Sequence, residues 1–116
     1  MASRADFIEQ LRATADELGS LAGPEPEPYA LAWWANLLTL ASMIEAQATP
    51  LSAEQIVFLN RHLFGGMGSL NDLWFSQEEI SDAGEVNKRL DKARGKLFSI
   101  FKELPCGPSY IGIHIP

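Results

Sequence analysis

Residues 30–48 read ALAWWANLLTLASMIEAQA and contain most of the chain's longest run without a charged residue. Within this stretch no residue before Glu45 is charged, and apolar side chains fall on every side of a helical projection. A helix that is hydrophobic all round is either buried in a core or spans a membrane. The uncharged run is shorter than the roughly 20 residues that a bilayer requires, and Asn36, Thr39 and Ser42 interrupt it. We therefore expect a central core helix that the other helices cover, and no membrane span.

Caps and breakers elsewhere in the chain predict three further helices. The Ser-x-x-Gln pattern that begins at Ser52 is a capping box, in which side chains satisfy the free amides of a helix start. The prolines of residues 23–28 forbid a helix and form a stiff, extended connector, whose last proline suits the first turn of the core helix. The predicted helices begin at Ser3, Ser52 and about Gly84 and end at about Gly19, Phe64 and Leu104.

The last helix has the clearest amphipathic pattern. Its apolar residues recur at the spacing of one helical face, at Val86, Leu90, Ala93, Leu97, Phe101 and Leu104. Ser81 or Asp82 is its expected cap. Gly95 costs about 1 kcal/mol relative to alanine in a helix interior, which indicates that the core helix crosses closely at that point. In the third helix, the residues expected to face the core are Ile56, Leu59 and Leu63, with Phe58 as a further candidate.

The C-terminal residues alternate strictly from Tyr110. Ile111, Ile113 and Ile115 would share one face of an extended segment. A lone strand is unstable, so we expect this tail to dock either on residues 73–75, as a short two-stranded element, or across a subunit boundary. Residues 73–75 themselves are compatible with a short strand or with one helical turn. Residues 1–116 thus form one mainly α domain in this prediction, a compact bundle of about four helices with an irregular glycine-rich loop and an extended tail.

Charge is unevenly distributed along the chain. The net charge is −6, and residues 1–60 carry eight acids against two arginines, whereas residues 88–116 carry six bases against two acids. Nucleic-acid binding requires a basic surface, so we expect no nucleic-acid partner. The single cysteine, Cys106, excludes an internal disulfide, and the first residues lack a secretory pattern; both fit a cytoplasmic protein. Two distant histidines and one cysteine give no metal-ligand spacing, and we expect no cofactor.

Residues 64–73 read FGGMGSLNDL and form the candidate functional loop. Three glycines in four positions permit backbone angles closed to other residues, so successive amides could form an anion-binding nest. The phosphate-loop pattern is absent because no lysine follows, and the Gly-x-Ser-x-Gly elbow of hydrolases is absent because Asn71 replaces its last glycine. In the simpler structural reading, the glycines close a helix in the left-handed conformation, Ser69 or Asn71 caps the next turn, and Asp72 bonds nearby amides. The loop residues singled out are Gly65, Gly66, Met67, Gly68, Ser69, Asn71 and Asp72.

This stretch resembles a segment of a group of small, little-characterised bacterial proteins. Their segment reads Gly-Gly-Met-Gly-Ser-apolar-Asn-Asp-apolar and precedes a helix with an early asparagine, the position that Asn87 occupies here. The resemblance covers residues 65–73 and the shape of the last helix. It implies a cytoplasmic accessory protein of the kind found beside secreted bacterial toxins, where an immunity protein binds and blocks its cognate toxin.

Ser69, His62 and Asp72 are the residue types of a catalytic triad and lie in one segment of the sequence. His62 falls in the last turn of a predicted helix, where a protonated imidazole interacts well with the helix dipole, and that placement is sufficient to explain it. Without a second carboxylate or a ligand cluster, the residues favour binding over catalysis. Trp33 and Trp34 point about 100° apart on a helix, so both are buried only if the helix is covered on two sides; an uncovered one would mark an interface.

Four basic residues lie together on the last helix. Lys88, Lys92 and Lys96 share one face, and Arg89 lies beside them. This cluster is a candidate surface for an acidic partner or for the protein's own acidic first helix. The alternative is a solvated face that is stabilised by the spacing of Glu85 and Arg89.

These observations favour a non-catalytic, cytoplasmic binding protein, of which an immunity-type inhibitor of a bacterial toxin is one form. The acidic first half would complement a basic toxin and speed its association. The second prediction is a homo-oligomer with a structural or regulatory role. The third is an enzyme or a small-ligand or anion binder that uses the loop from Gly65 to Asp72.

Overall fold

Four helices form the bundle in the computed structural model, which describes residues 2–20, 28–76 and 82–104. They are α1 (Arg4–Gly19), α2 (Pro28–Ala46), α3 (Ala53–Phe64) and α4 (Ala83–Lys102), with a single 3-10 turn at Leu70–Asp72. No strand occurs in these three ranges, so the mainly α prediction is confirmed. None of the helices they contain is long and apolar enough to cross a lipid bilayer. The proline connector before Pro28 and the isoleucine tail, including Cys106, lie outside the described residues.

Local caps fix where two of the helices begin. Ser3 accepts a hydrogen bond from the amide of Asp6 at 3.1 Å, and the Asp6 carboxylate accepts one from the Ser3 amide at 2.8 Å. These bonds to Ser3 lower the pKa of the Asp6 carboxyl. Ser52 and Gln55 make the same reciprocal pair at the start of α3, at 3.1 and 2.8 Å. Both predicted caps are confirmed, whereas Asp82 occupies the N-cap position of α4 without a side-chain hydrogen bond to the helix.

The centre of the bundle is α1 rather than α2. The first helix packs against both α2 and α4, and its Phe7 ring lies 5.8 Å from the ring of Phe101 on α4. α2 buries one side only, through Ala30, Leu37, Ala41 and Ile44. The expectation of a central α2 is therefore wrong, because a helix without charges can still leave apolar and small side chains at the surface.

Two exposed ion pairs tie α1 to its neighbours. Arg12 binds Glu45 of α2 through both carboxylate oxygens, at 3.1 and 3.0 Å, and Arg89 of α4 lies 3.1 Å from Glu17. The contact with Arg12 lowers the pKa of the Glu45 carboxyl. Exposed pairs of this kind contribute little stability.

The apolar face of α4 has the predicted composition. All six residues of the stripe from Val86 to Leu104 are buried. Gly95, in contrast, lies on the exposed side of the helix, and a Cβ atom built on it would meet nothing within 4 Å. The expectation that the core helix crosses closely at Gly95 is wrong, because α4 packs on α1 through its opposite face.

Replacing Gly95 with alanine should stabilise the fold. The added methyl group has open space, and alanine is favoured over glycine in a helix by roughly 0.5–1 kcal/mol. The matched control is Gly68→Ala, since Gly68 has a φ of +86° with equally open space around its Cα. That backbone region costs a residue with a Cβ about 1 kcal/mol or more. In urea denaturation, Gly95→Ala should therefore raise the midpoint of unfolding and Gly68→Ala should lower it. A shift of both midpoints in the same direction would contradict these assignments of the two glycines.

Candidate functional site

The glycine loop, defined as residues 65–76, follows α3 and begins with a close backbone contact between Gly65 and Arg61. Gly65 donates its amide to the carbonyl of Arg61 at 3.2 Å and closes the helix at Phe64, as predicted. Its φ is −76°, so the predicted left-handed conformation is wrong for Gly65. Glycine is needed there because a Cβ would overlap the Arg61 carbonyl. Only Gly68 has a positive φ among the described residues.

Hydrogen bonds within the loop occupy two of the amides that an anion nest would use. Gly68 donates its amide to the carboxylate of Asp72 at 3.1 Å, and the amide of Ser69 donates to the Gly66 carbonyl at 3.1 Å. The Ser69 hydroxyl donates to the Gly65 carbonyl at 2.8 Å and so does not cap the following turn. Because the chain's own carboxylate sits on the Gly68 amide, the structural reading of this stretch is favoured over an anion site.

A buried asparagine on α4 holds the far end of the loop. Asn87 accepts a hydrogen bond from the amide of Phe75 at 3.0 Å and donates its side-chain amide to the carbonyl of the same residue at 2.8 Å. Both polar groups of one backbone unit are thus satisfied, as they would be by a neighbouring strand. Residues 73–75 are neither a strand nor a helical turn, so both predicted alternatives are wrong for this segment.

A buried arginine on α4 holds the middle of the loop. Arg94 is 4% exposed, and one of its terminal nitrogens donates to the carbonyls of Leu70 and Leu73 at 2.8 and 2.7 Å. The other terminal nitrogen pairs with Asp91. Sequence reasoning missed both Asn87 and Arg94 as structural residues, since exposed polar residues such as Lys92 flank the same apolar stripe.

The loop exposes two large apolar side chains on this supported backbone. Met67 is 98% exposed and Trp74 is 66% exposed, while Leu70 and Phe75 between and beyond them are buried. Of the residues singled out from sequence, Ser69 is buried and Gly65 is half-buried. Those that are exposed are Gly66, Met67, Gly68, Asn71 and Asp72.

His62 belongs to an aromatic cluster and not to a catalytic set. Its ring stacks on Phe58 at 5.0 Å, lies 4.9 Å from the ring of Trp33, and its Nε2 is 2.9 Å from the side-chain oxygen of Asn36. Burial lowers the pKa of His62, which favours the neutral imidazole over the protonated ring expected beside the helix dipole. Ser69 and Asp72 bond inside the glycine loop, so no relay joins the three side chains.

The two tryptophans of α2 differ in how far they are buried. Trp33 is half-buried against His62 of α3. Trp34 remains partly exposed over the end of α1, where a Cβ on Gly19 would come within 3.1 Å of its ring. Neither ring is fully buried, so the two-sided cover that burial of both tryptophans would require is not found, and Trp34 is the more exposed of the two.

The four residues of the basic cluster on α4 have different surroundings: Arg89 contacts α1, and the three lysines face solvent. Arg89 binds Glu17 of α1 and the hydroxyl of Ser20, which directly follows α1; contact with the acidic first helix is one of the roles expected for the cluster. The three lysines, Lys88, Lys92 and Lys96, are exposed. Within the described ranges, no group of three histidine, cysteine, aspartate or glutamate side chains is placed to hold a metal ion.

Comparisons of the chain with protein-family models, curated proteins and solved structures return no match.

Proposed function

We propose that the chain is a non-catalytic protein-binding domain and that the glycine loop is its binding surface. One observation carries this proposal: Met67 and Trp74 are exposed on a loop whose backbone is held by the buried side chains of Asn87 and Arg94. A folded chain does not need two large apolar side chains in water to stabilise such a loop. Contact with a partner gives them a role.

Binding physics favours such an arrangement. Tryptophan is enriched among the residues that dominate interface energies, and methionine adapts to irregular apolar surfaces. A loop that is already ordered loses less conformational entropy on binding than a flexible loop does. Residues that bind other molecules are also found disproportionately on loops that a rigid scaffold positions.

The partner we propose is a basic protein, and the relationship is that of a cytoplasmic immunity protein and its toxin. The chain's net charge of −6 would attract a basic partner and raise its rate of association. Asp72, exposed in the same loop as Met67 and Trp74, adds a negative charge beside the apolar contacts. The resemblance of residues 65–73 to proteins found beside secreted toxins supports the same relationship.

The test uses the products of the genes adjacent to the one that encodes this chain. Each product is co-expressed with the tagged full chain, and complexes are measured by size-exclusion chromatography and calorimetry. We expect one product to form a stoichiometric complex and to arrest growth when it is expressed without the chain. Met67→Ser and Trp74→Ser should each weaken the complex at least about tenfold and remove the growth protection.

Met43→Ser is the matched control, because Met43 is also an exposed methionine but lies on α2. It should leave the affinity of the complex unchanged. The proposal fails if no adjacent product binds at micromolar concentration, or if Met43→Ser weakens binding as much as Met67→Ser does.

A further inference from the structure

The outer surface of α2 and α3 is an apolar face with a groove along it. The α2–α3 face consists of Leu40, Met43, Glu54, Phe58, Arg61 and His62. Met43 is 64% exposed and Phe58 is 53% exposed beside a cavity of about 370 Å³ that both residues line. A second cavity of about 310 Å³ shares Leu40 and Phe58 with the first, so the groove continues to His62. No residue of α2 before Glu45 is charged.

Phe58 is held in place although its side chain is more than half exposed. Its ring stacks on His62 with an interplanar angle of 17°. His62 in turn is fixed by the ring of Trp33 and by its hydrogen bond with Asn36. An apolar side chain that is already oriented loses little freedom when it is covered.

The charges on α3 are self-complementary about Phe58. Glu54, Phe58 and Arg61 are spaced at i, i+4 and i+7, which places them on one side of the helix. At a rise of about 1.5 Å per residue, the midpoint between Glu54 and Arg61 lies within ~1 Å of Phe58 along the helix axis. Two antiparallel copies of α3 would therefore bring Glu54 of each copy opposite Arg61 of the other, with the two Phe58 rings at the axis.

We propose that the α2–α3 face binds a second copy of this chain across a two-fold axis near Phe58. In a two-fold interface the same patch appears on both copies, so a patch must complement itself. The face does so: its two formal charges are opposite and cancel, whereas the chain as a whole carries −6 and repels other copies elsewhere. This surface is separate from the glycine loop and does not depend on the proposed toxin partner.

The size of the face is compatible with a weak dimer. At about 1.5 Å per residue and 10 Å per helix width, α2 and α3 together cover roughly 400–500 Å² on each copy. The total of about 1,000 Å² is at the lower limit of specific interfaces, a range typical of weak or transient contacts, so we look for a dimer at micromolar concentration or above.

Sedimentation velocity of the full chain between about 5 and 500 µM tests the proposal. The mass should rise with concentration from 12.8 kDa toward twice that value. Phe58→Ser should raise the dimer dissociation constant at least tenfold, and circular dichroism should show an unchanged helical fold because Phe58 is exposed. Glu54→Arg and Arg61→Glu should each abolish the dimer, since each places like charges opposite one another.

An equimolar mixture of the Glu54→Arg and Arg61→Glu variants is the decisive sample. Each variant repels itself, but the two together restore opposite charges at both contacts, so the mixture should dimerise where neither variant does. Lys92→Glu, an equal charge change on α4, and Met67→Ser should both dimerise as the wild type does. The proposal is overturned if the wild type stays at 12.8 kDa throughout, if Phe58→Ser dimerises normally, or if the mixture stays monomeric.

Discussion

Replacement of Asn87 by alanine is expected to lower the free energy of unfolding by roughly 2–3 kcal/mol. The substitution removes both hydrogen bonds to Phe75 and leaves the amide and carbonyl of that residue without partners in the interior. An unsatisfied buried polar group costs about 1–3 kcal/mol, and the gain in helix propensity from asparagine to alanine recovers only a few tenths. Urea denaturation with linear extrapolation measures the difference.

Asn60→Ala is the matched control for this prediction. Asn60 is exposed on α3, so the same substitution there removes no buried contact and gains only helix propensity. It should change stability by no more than a few tenths of a kcal/mol, in the stabilising direction. Similar free energies of unfolding for the two variants would show that Asn87 does not hold the loop.

Asn87→Asp tests the two hydrogen bonds separately, because it keeps the acceptor for the Phe75 amide and removes the donor to the Phe75 carbonyl. The carboxylate still accepts from the Phe75 amide, but its second oxygen faces the Phe75 carbonyl and repels it. In the folded variant the protonated acid is favoured, because it donates to that carbonyl, so its folded pKa is raised above the unfolded value of about 3.9. Relative to the wild type, the variant should therefore regain free energy of unfolding as the pH falls through that raised pKa. A loss of stability that does not change with pH would contradict the hydrogen bond to the Phe75 carbonyl.

The helix ends were predictable because they are determined by neighbours in sequence. The reciprocal bonds of Ser3 with Asp6 and of Ser52 with Gln55 join residues three apart, so the sequence pattern contains all the groups involved. The same holds for the stop after Phe64, although Gly65 closes it by close approach to Arg61 and not by a left-handed backbone.

The position of α2 was not predictable from its own composition. An uncharged helix has no charge to keep any side of it in water, but which sides are covered depends on the helices around it. Here α1 takes the central place, since its apolar residues contact both α2 and α4. α2 is left with Met43 at the surface, where hydrophobicity alone had indicated burial.

The glycine loop was located by sequence, but the residues that hold it were not. Asn87 and Arg94 act on backbone groups of Phe75, Leu70 and Leu73, on a distant part of the chain. A side chain that bonds to backbone leaves no complementary residue type in the sequence, so no pairing pattern exists to be read. Sequence analysis instead singled out the neighbouring lysines Lys92 and Lys96, which face solvent.

Arg94→Met is expected to destabilise the fold by roughly 2–3 kcal/mol. Methionine retains much of the buried stem, so the loss comes from the hydrogen bonds to the Leu70 and Leu73 carbonyls, each to a charged donor and worth about 1.5–3 kcal/mol. Two effects limit the loss. Removing a buried cation recovers part of its desolvation cost, and Asp91 is exposed enough to regain water.

Lys92→Met provides the control for Arg94→Met, because Lys92 is an exposed cation two residues away on the same helix. Its free energy of unfolding should stay within about 0.5 kcal/mol of the wild type. Hydrogen exchange supplies the second measurement: Arg94→Met should increase exchange in residues 65–76 more than in α1, since the lost bonds hold the loop and not the bundle. A variant as stable as the wild type would mean that desolvation of Arg94 cancels its hydrogen bonds, and that the loop keeps its shape without them.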